Sequence, residues 1–163
     1  MRYQLHAKFI SIGGSGSVIQ DASGRDIFTV DSKILSLRKK LELKDMQGNI
    51  LADIQKNWWS ATTFKIAFSS GLSAEMSRDG GFLGPHRFKI IVTGQDELEA
   101  RGNFLQRDYA IFRGAQQLAR ISKAWIAPGN TRGDPYGIET DDSQDQLLLL
   151  SCAVVIGEIY DYD

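Results

Sequence analysis

"DDSQDQLLLLSCAVVIGEIYDYD" occupies residues 141–163, and its reading decides the fold. Asp142 or Ser143 suits a helix N-cap, and Ser143 with Gln146 fits a capping box. Asp145 in the first turn suits the positive end of a helix dipole. From Leu147 to Ile156 every position is apolar or small. Such a run is compatible with a buried strand as well as a buried helix. The capping signals and a length of roughly 16 residues favour the helix. A helix that is apolar all round must be buried all round.

The rest of the chain reads as β. "LADIQKNW" at Leu51–Trp58 and "LARISKAW" at Leu118–Trp125 share five of eight residues, in the pattern LAxIxKxW. Each ends a unit with alternating apolar positions on both sides of a turn, which is a hairpin signature. "LELKDMQGNILADIQK" turns around Asp45–Asn49, and "YAIFRGAQQLARISKAW" turns at Gly114. An earlier unit, "VIQDASGRDIFTVDSK", has Asp21 and Gly24 where the first has Asp45 and Gly48. The repeated octapeptide is therefore the returning strand of a recurrent hairpin. At period two, Ala52 and Ile54 share one face, as do Ala119 and Ile121, and that face is expected to point inward. Leu51, Asp53 and Gln55, like Leu118, Arg120 and Ser122, fall on the other. The Lys that follows is read as a solvent-facing strand-end residue.

Further strands are expected at Tyr3–Ile12, Lys33–Leu37, Thr63–Ser69, Arg87–Thr93, Leu98–Phe104 and Tyr136–Thr140, from β-branched and aromatic alternation between turn residues. Ser70–Pro85 is the least patterned stretch and is read as a long loop. "GGSGSV" at Gly13–Val18 precedes a strand rather than a helix and lacks the phosphate-loop Lys, so it is read as a flexible hairpin turn. Many short strands at this spacing indicate a sandwich or a barrel. A chain of strands ending in a helix that is buried on every face suggests strands wrapped around it.

Bulk properties fit one domain spanning 1–163. The 163 residues are 42% hydrophobic and 24% charged, an ordinary globular mix. The single cysteine, Cys152, allows no internal disulfide and fits a reducing compartment. The N-terminal "MRYQLHAKFISIGG" has no h-region of signal-peptide length, so a cytoplasmic protein is expected. The longest apolar run falls short of the roughly 20 residues needed to cross a bilayer. All 19 Lys and Arg lie at or before Arg132 with 12 acids, and the remaining 8 acids follow. A basic body favours anionic surfaces, whereas the acids at the end are read as solvating that segment.

The combination resembles the tubby C-terminal-like superfamily and, within it, the LURP-one-related proteins. The resemblance rests on "KILSLRKKLELKDMQGNILADIQK", "ARISKAW" followed by "YGIE", and "QDQLLLLSCAVVIGEI", from about Phe9 to Tyr160. It implies a mainly β fold: a closed antiparallel β-barrel of about twelve strands around a central hydrophobic C-terminal α-helix. It also implies two similar half-barrels, with the octapeptides as equivalent strands. Tubby binds phosphoinositide head groups through a basic pocket, and the related scramblases bind calcium and lipids. Neither pocket transfers residue by residue. The cysteine-rich segment and C-terminal anchor of scramblases are absent from this sequence, which argues against scrambling.

Few residues offer chemistry. His6 and His86 with Cys152 show no metal-ligand spacing, and no G-x-S-x-G elbow supports a hydrolase. "DDSQD" lacks the Gly and terminal Glu of a calcium loop. No catalytic residue, metal or cofactor is expected. The suggestive patch is "LSLRKKLELK". Arg38, Lys40 and Lys44 share parity with Glu42, whereas Lys39 falls on the apolar parity of Leu41 and Leu43. A bulge at Lys39 would bring Arg38, Lys39 and Lys40 to one rim. The competing interpretation is a lysine-guarded sheet edge. Trp58, Trp59 and Trp125 are read as core or barrel-end packing, and no RNP-type pattern supports nucleic acid binding.

The expectation is a non-enzymatic binding domain, peripheral to membranes. Its ligand would be an anionic membrane lipid head group or another phosphorylated small molecule at Arg38, Lys39 and Lys40. The alternative is a protein-interaction or structural scaffold. On the ligand reading, Lys39→Glu weakens binding and leaves the melting temperature nearly unchanged.

Overall fold

The computed structural model describes residues 1–11, 14–35, 38–80, 86–123 and 135–160. Twelve strands are described: β1 (Arg2–Ser11), β2 (Gly14–Asp21), β3 (Asp26–Leu35), β4 (Arg38–Asp45), β5 (Ile50–Lys56), β6 (Thr63–Phe68), β7 (Ser73–Asp79), β8 (Arg87–Val92), β9 (Leu98–Asn103), β10 (Asp108–Arg113), β11 (Gln116–Ser122) and β12 (Tyr136–Thr140). Each strand pairs antiparallel with its neighbours in sequence, and β12 returns to β1. The result is a closed barrel. One helix, α1 (Gln146–Tyr160), follows.

Period-two alternation builds the wall. Ala52, Ile54, Phe64, Ile66, Phe88, Ile90, Ala119 and Ile121 all face a single core and are almost completely buried. Helix α1 is buried continuously from Leu148 to Gly157 and belongs to that same core. Fully burying each large aliphatic contributes roughly 1.5–3 kcal/mol, so the helix supplies much of the interior. The octapeptide prediction holds for the Ala/Ile face in both copies.

The repeats share their irregularities as well as their faces. In the β4–β5 pair Leu43 faces Ala52 and Lys44 faces Ile50, so Leu51 is an extra residue. In the β10–β11 pair Ile111 faces Ala119 and Phe112 faces Gln117, so Leu118 is the extra residue. Both bulged carbonyls accept a bond from the residue just past the next strand, Ser69 N–H at 3.0 Å and Asp141 N–H at 2.9 Å. The two octapeptides are thus equivalent strands six positions apart around the barrel. The bulge also explains why Leu118, expected to face outward, is buried: the extra residue breaks the alternation.

Asp21 and Asp45 make the same turn. Gly24 N–H donates to Asp21 C=O at 3.0 Å, and Gly48 N–H to Asp45 C=O at 3.1 Å. Both glycines have positive φ, 85° and 88°, the left-handed conformation that such turns require. Each carboxylate accepts backbone N–H bonds inside its own turn, from Ser23 and Arg25 or from Gln47 and Asn49.

Four expectations need correction. Ser70–Pro85 is not one long loop, because Ser73–Asp79 is strand β7. Its buried residues are only Ala74 and Met76, too few to mark a strand in sequence. Gly14–Val18 lies in strand β2 rather than a flexible turn. A side chain at Gly16 would come within 3.0 Å of the Val30 carbonyl on β3, so glycine there permits close strand approach. The predicted Lys33–Leu37 strand is the end of β3, and residues 36–37 lie outside those described. The helix cap is Asp145, whose Oδ1 accepts Leu148 N–H at 3.1 Å, while Ser143 donates to Asp141.

Candidate functional site

The basic run on β4 is divided by the pleat. Strands β3 and β4 pair without a register shift from Phe28 and Asp45 to Leu35 and Arg38. There is therefore no bulge at Lys39, contrary to the sequence expectation, and the alternation carries through. Strand β4 is also not an edge, being paired with β3 and β5. Lys39 takes the inward parity of Leu41 and Leu43, and Lys40 the outward one. The side chain of Arg38 lies outside those described.

On the outer face the lysines are matched one to one. Asp31, Glu42 and Asp53 lie side by side across β3, β4 and β5. Lys44 pairs with Asp31 at 2.8 Å, Lys33 with Glu42 at 2.6 Å, and Lys40 with Asp53 at 2.9 Å. Glu42 is only 3% exposed. The Asp53 bond and charge hold the Lys40 ammonium above its usual range, and Asp31 does the same for Lys44. This ladder neutralises the outer half of the basic run.

The inward half behaves differently. Lys39 reaches the C-terminal turn of α1 and forms an ion pair with Glu158, both partners being less than one-fifth exposed. The helix has no basic residue in its own last turn, so Lys39 supplies the cation that its dipole favours there. Two more cations take the last inward positions of their strands. Lys56 follows Ala52 and Ile54 on β5, and Arg78 follows Ala74 and Met76 on β7. Lys39, Lys56 and Arg78 line one cavity of about 440 Å³ with Ala61, Thr62, Phe64, Ile159 and Glu158. Among the described residues, three cations and one carboxylate line this cavity. The sequence signal for Lys56 and Arg78 was their shared parity with core residues, and the expectation of a solvent-facing Lys56 passed over it.

The connection between β5 and β6 stands beside this cavity. Asn57–Ser60 form a tight turn, with Ser60 N–H donating to Asn57 C=O at 3.4 Å. Ser60 Oγ meets Thr63 Oγ1 at 2.9 Å, and Arg78 N–H donates to Thr62 C=O at 3.2 Å. Trp58 and Trp59 occupy the tip and are 71% and 64% exposed. This reverses the expectation of packed tryptophans, and Trp125 lies outside the described residues. The two rings meet edge to face, 5.5 Å between centroids and 89° between planes. Below them a groove of about 810 Å³ runs along the outer wall of β5–β8, with Lys65, Glu75 and Ile91 among its lining.

Other reactive groups are not among the residues that line this cavity. Burial, with a further push from Asp145, raises the Cys152 thiol to about 12. His86 Nδ1 lies 3.0 Å from Tyr160 Oη, and His6 is buried on β1. Among the described residues, no group of three His, Cys, Asp or Glu could hold a metal ion. Among them, too, no helix is long and apolar enough to cross a membrane.

A twelve-strand antiparallel barrel closed around a C-terminal helix defines the class of protein, and it is the architecture that the tubby-like resemblance implied. The particular branch follows from comparison with known proteins. The family model described as LURP-one-related matches residues 1–157, and the chain belongs to that family. It is also similar to the uncharacterized protein YxjI of Bacillus subtilis (strain 168), with 22% identity over 139 residues that cover 85% of this chain and 81% of that protein.

Proposed function

We propose that the chain is a non-enzymatic binding domain for a phosphorylated anion, held at the barrel mouth by Lys56, Arg78 and Lys39. The ligand class is an anionic lipid head group or another phosphorylated small molecule, met in the cytoplasm or at its membrane face. The observation that carries this reading is that, among the described residues, three cations and one carboxylate line the 440 Å³ cavity. Among the described residues, the side chains of Lys56 and Arg78 have no ion-pair partner, whereas Lys40 and Lys44 are committed to the ladder. Of the residues expected from sequence, Lys39 lines the cavity, Lys40 is held by Asp53 on the outer face, and the side chain of Arg38 lies outside those described. A phosphate oxygen accepting from Arg78 and Lys56 would make charge-assisted bonds, the strong kind.

Titration with a soluble inositol polyphosphate, at two salt concentrations, tests this. Binding that weakens with salt is expected. Each of Lys56→Ala and Arg78→Ala should weaken it about tenfold or more, the loss of one charged hydrogen bond. Binding that is absent, or untouched by both substitutions, would remove the reading.

A protein-interaction scaffold is the second reading. It is favoured by the groove beneath Trp58 and Trp59, since exposed aromatics are typical anchors of protein interfaces. Capture of a specific partner that depends on both tryptophans, with no anion effect, would favour it over the first.

A further inference from the structure

We propose that Trp58 and Trp59 form a bilayer anchor: they enter the interfacial region of a membrane containing anionic lipid while the mouth cavity takes a head group. This rests on the head-group reading above and adds a separate surface to it. The exposure of the pair is the first observation. A tryptophan carries a large apolar ring with one polar N–H, so it loses free energy in bulk water and gains it where one end is dry and the other wet. The lipid–water interface is such a place. Two adjacent rings, 71% and 64% exposed, are left in water by this fold.

The second observation is that the pair is presented rather than merely uncovered. The turn that carries it is closed at Asn57 and Ser60 and is braced through Thr62 to β7. Ordering on contact with a surface therefore costs little. The third is charge. Lys56 adjoins the turn and lines both the outer groove and the mouth cavity, where Lys39 and Arg78 join it. Polybasic residues next to an aromatic anchor are attracted by an anionic leaflet. Interfacial aromatics and cations together give the two signals that stable peripheral binding requires. A membrane is thus favoured over a protein partner by the match between the cationic mouth and an anionic plane.

The full chain should be tested with vesicles of phosphatidylcholine alone and with about 20% phosphatidylserine, since surface potential scales with anionic lipid. A Trp125→Phe background leaves Trp58 and Trp59 as the reporters. Anionic vesicles should shift their emission to the blue, and lipids brominated near the head group should quench it. Trp58→Ala with Trp59→Ala should weaken vesicle co-sedimentation by roughly tenfold or more. The same double variant should keep the melting temperature and the inositol polyphosphate affinity unchanged. Vesicle binding that survives the double substitution, or emission that brominated lipid does not quench, would overturn the anchor and leave the head-group reading standing. Inositol polyphosphate binding without any vesicle binding would also overturn the anchor alone. Loss of every anion response would remove both. Loss of a protein partner or of self-association, with no vesicle response, would assign the tryptophans to that surface instead.

Discussion

The two ends of the barrel are built on different principles. At the end where the helix begins, the turns are short and carboxylates are consumed locally. Asp21, Asp45 and Asp141 each accept bonds from residues two to four positions later, and Asp145 caps the helix. At the end where the helix finishes, inward-facing cations ring a cavity and two tryptophans stand in water. The first end satisfies these carboxylates within its own turns. Among the described residues, the second leaves Lys56 and Arg78 without an ion-pair partner and Trp58 and Trp59 exposed. Matched groups hold a fold together, and unmatched ones are available to a ligand. The comparison therefore assigns stability to the turn end and recognition to the mouth.

The helix that joins the two ends gives the largest effect. Leu148, near its start, is 2% exposed and belongs to the core. Leu148→Asp places a carboxylate among apolar side chains with no partner, so it must be desolvated or neutralised. Loss of cooperative unfolding is expected, by calorimetry or near-ultraviolet dichroism. Deleting residues 143–163 should leave an insoluble or molten chain for the same reason. A soluble 1–142 fragment with a sharp thermal transition would show that the wall stands without its centre, and the division between the two ends would then lose its common support.

That helix was also the most legible element of the sequence. Ten apolar or small residues behind capping signals admit few readings in a chain otherwise made of strands. The hairpins were legible because Asp and Gly recur at fixed offsets and because Ala and Ile alternate. The bulges at Leu51 and Leu118 were not, since an extra residue changes facing without changing composition. Strand β7 was hidden for another reason: it offers only Ala74 and Met76 to the core. The candidate site was half visible. Lys39 stood out in a basic run, but that run is split between two faces and largely matched by Asp31, Glu42 and Asp53. Lys56 and Arg78 come from different strands, and only barrel closure around the helix brings them to Lys39. The exposure of Trp58 and Trp59 runs against the usual burial of large aromatic rings.

A contrast within the mouth gives the intermediate effect. Lys39 serves the fold as well as the cavity, because its ammonium neutralises Glu158 at the helix C-terminus. Lys39→Glu would set two carboxylates against each other there, close to the negative end of the dipole. A destabilisation of about 2 kcal/mol is expected, comparable to loss of a partly buried charged hydrogen bond. The structure thus replaces the sequence-based expectation that this change leaves the melting temperature alone. Lys56→Ala should stay within about 0.5 kcal/mol of the parent by chemical denaturation, as surface substitutions do, while weakening anion binding. Equal stability losses in the two variants would mean that Lys56 is structural too, and the mouth would no longer differ from the turn end.

The smallest effect belongs to the turn end and appears only in acid. The Ser23 hydroxyl and then the Arg25 N–H hold the Asp21 carboxyl down at about 2. The Asn49 side chain lowers Asp45, and the Ser143 hydroxyl lowers Asp141. A carboxyl whose pKa is depressed on folding binds fewer protons folded than unfolded over the intervening range. Its contribution is therefore complete above the unfolded value of about 3.9 and is lost as pH falls through the folded value, about 2 for Asp21. Asp21→Asn with Asp45→Asn retains an oxygen that can accept the turn bonds and removes the titration. Between pH 4 and pH 2 (about the window bounded by those two values), Tm should fall less steeply in the double variant than in the parent. Above pH 5, roughly one unit clear of the unfolded value, the two profiles should run parallel. Lys56→Ala should leave the acid slope as it is, since it touches none of those turn carboxyls. A mouth substitution that flattened the acid limb as much as the turn pair would show that the two ends share one electrostatic network, and the separation of their roles would have to be given up.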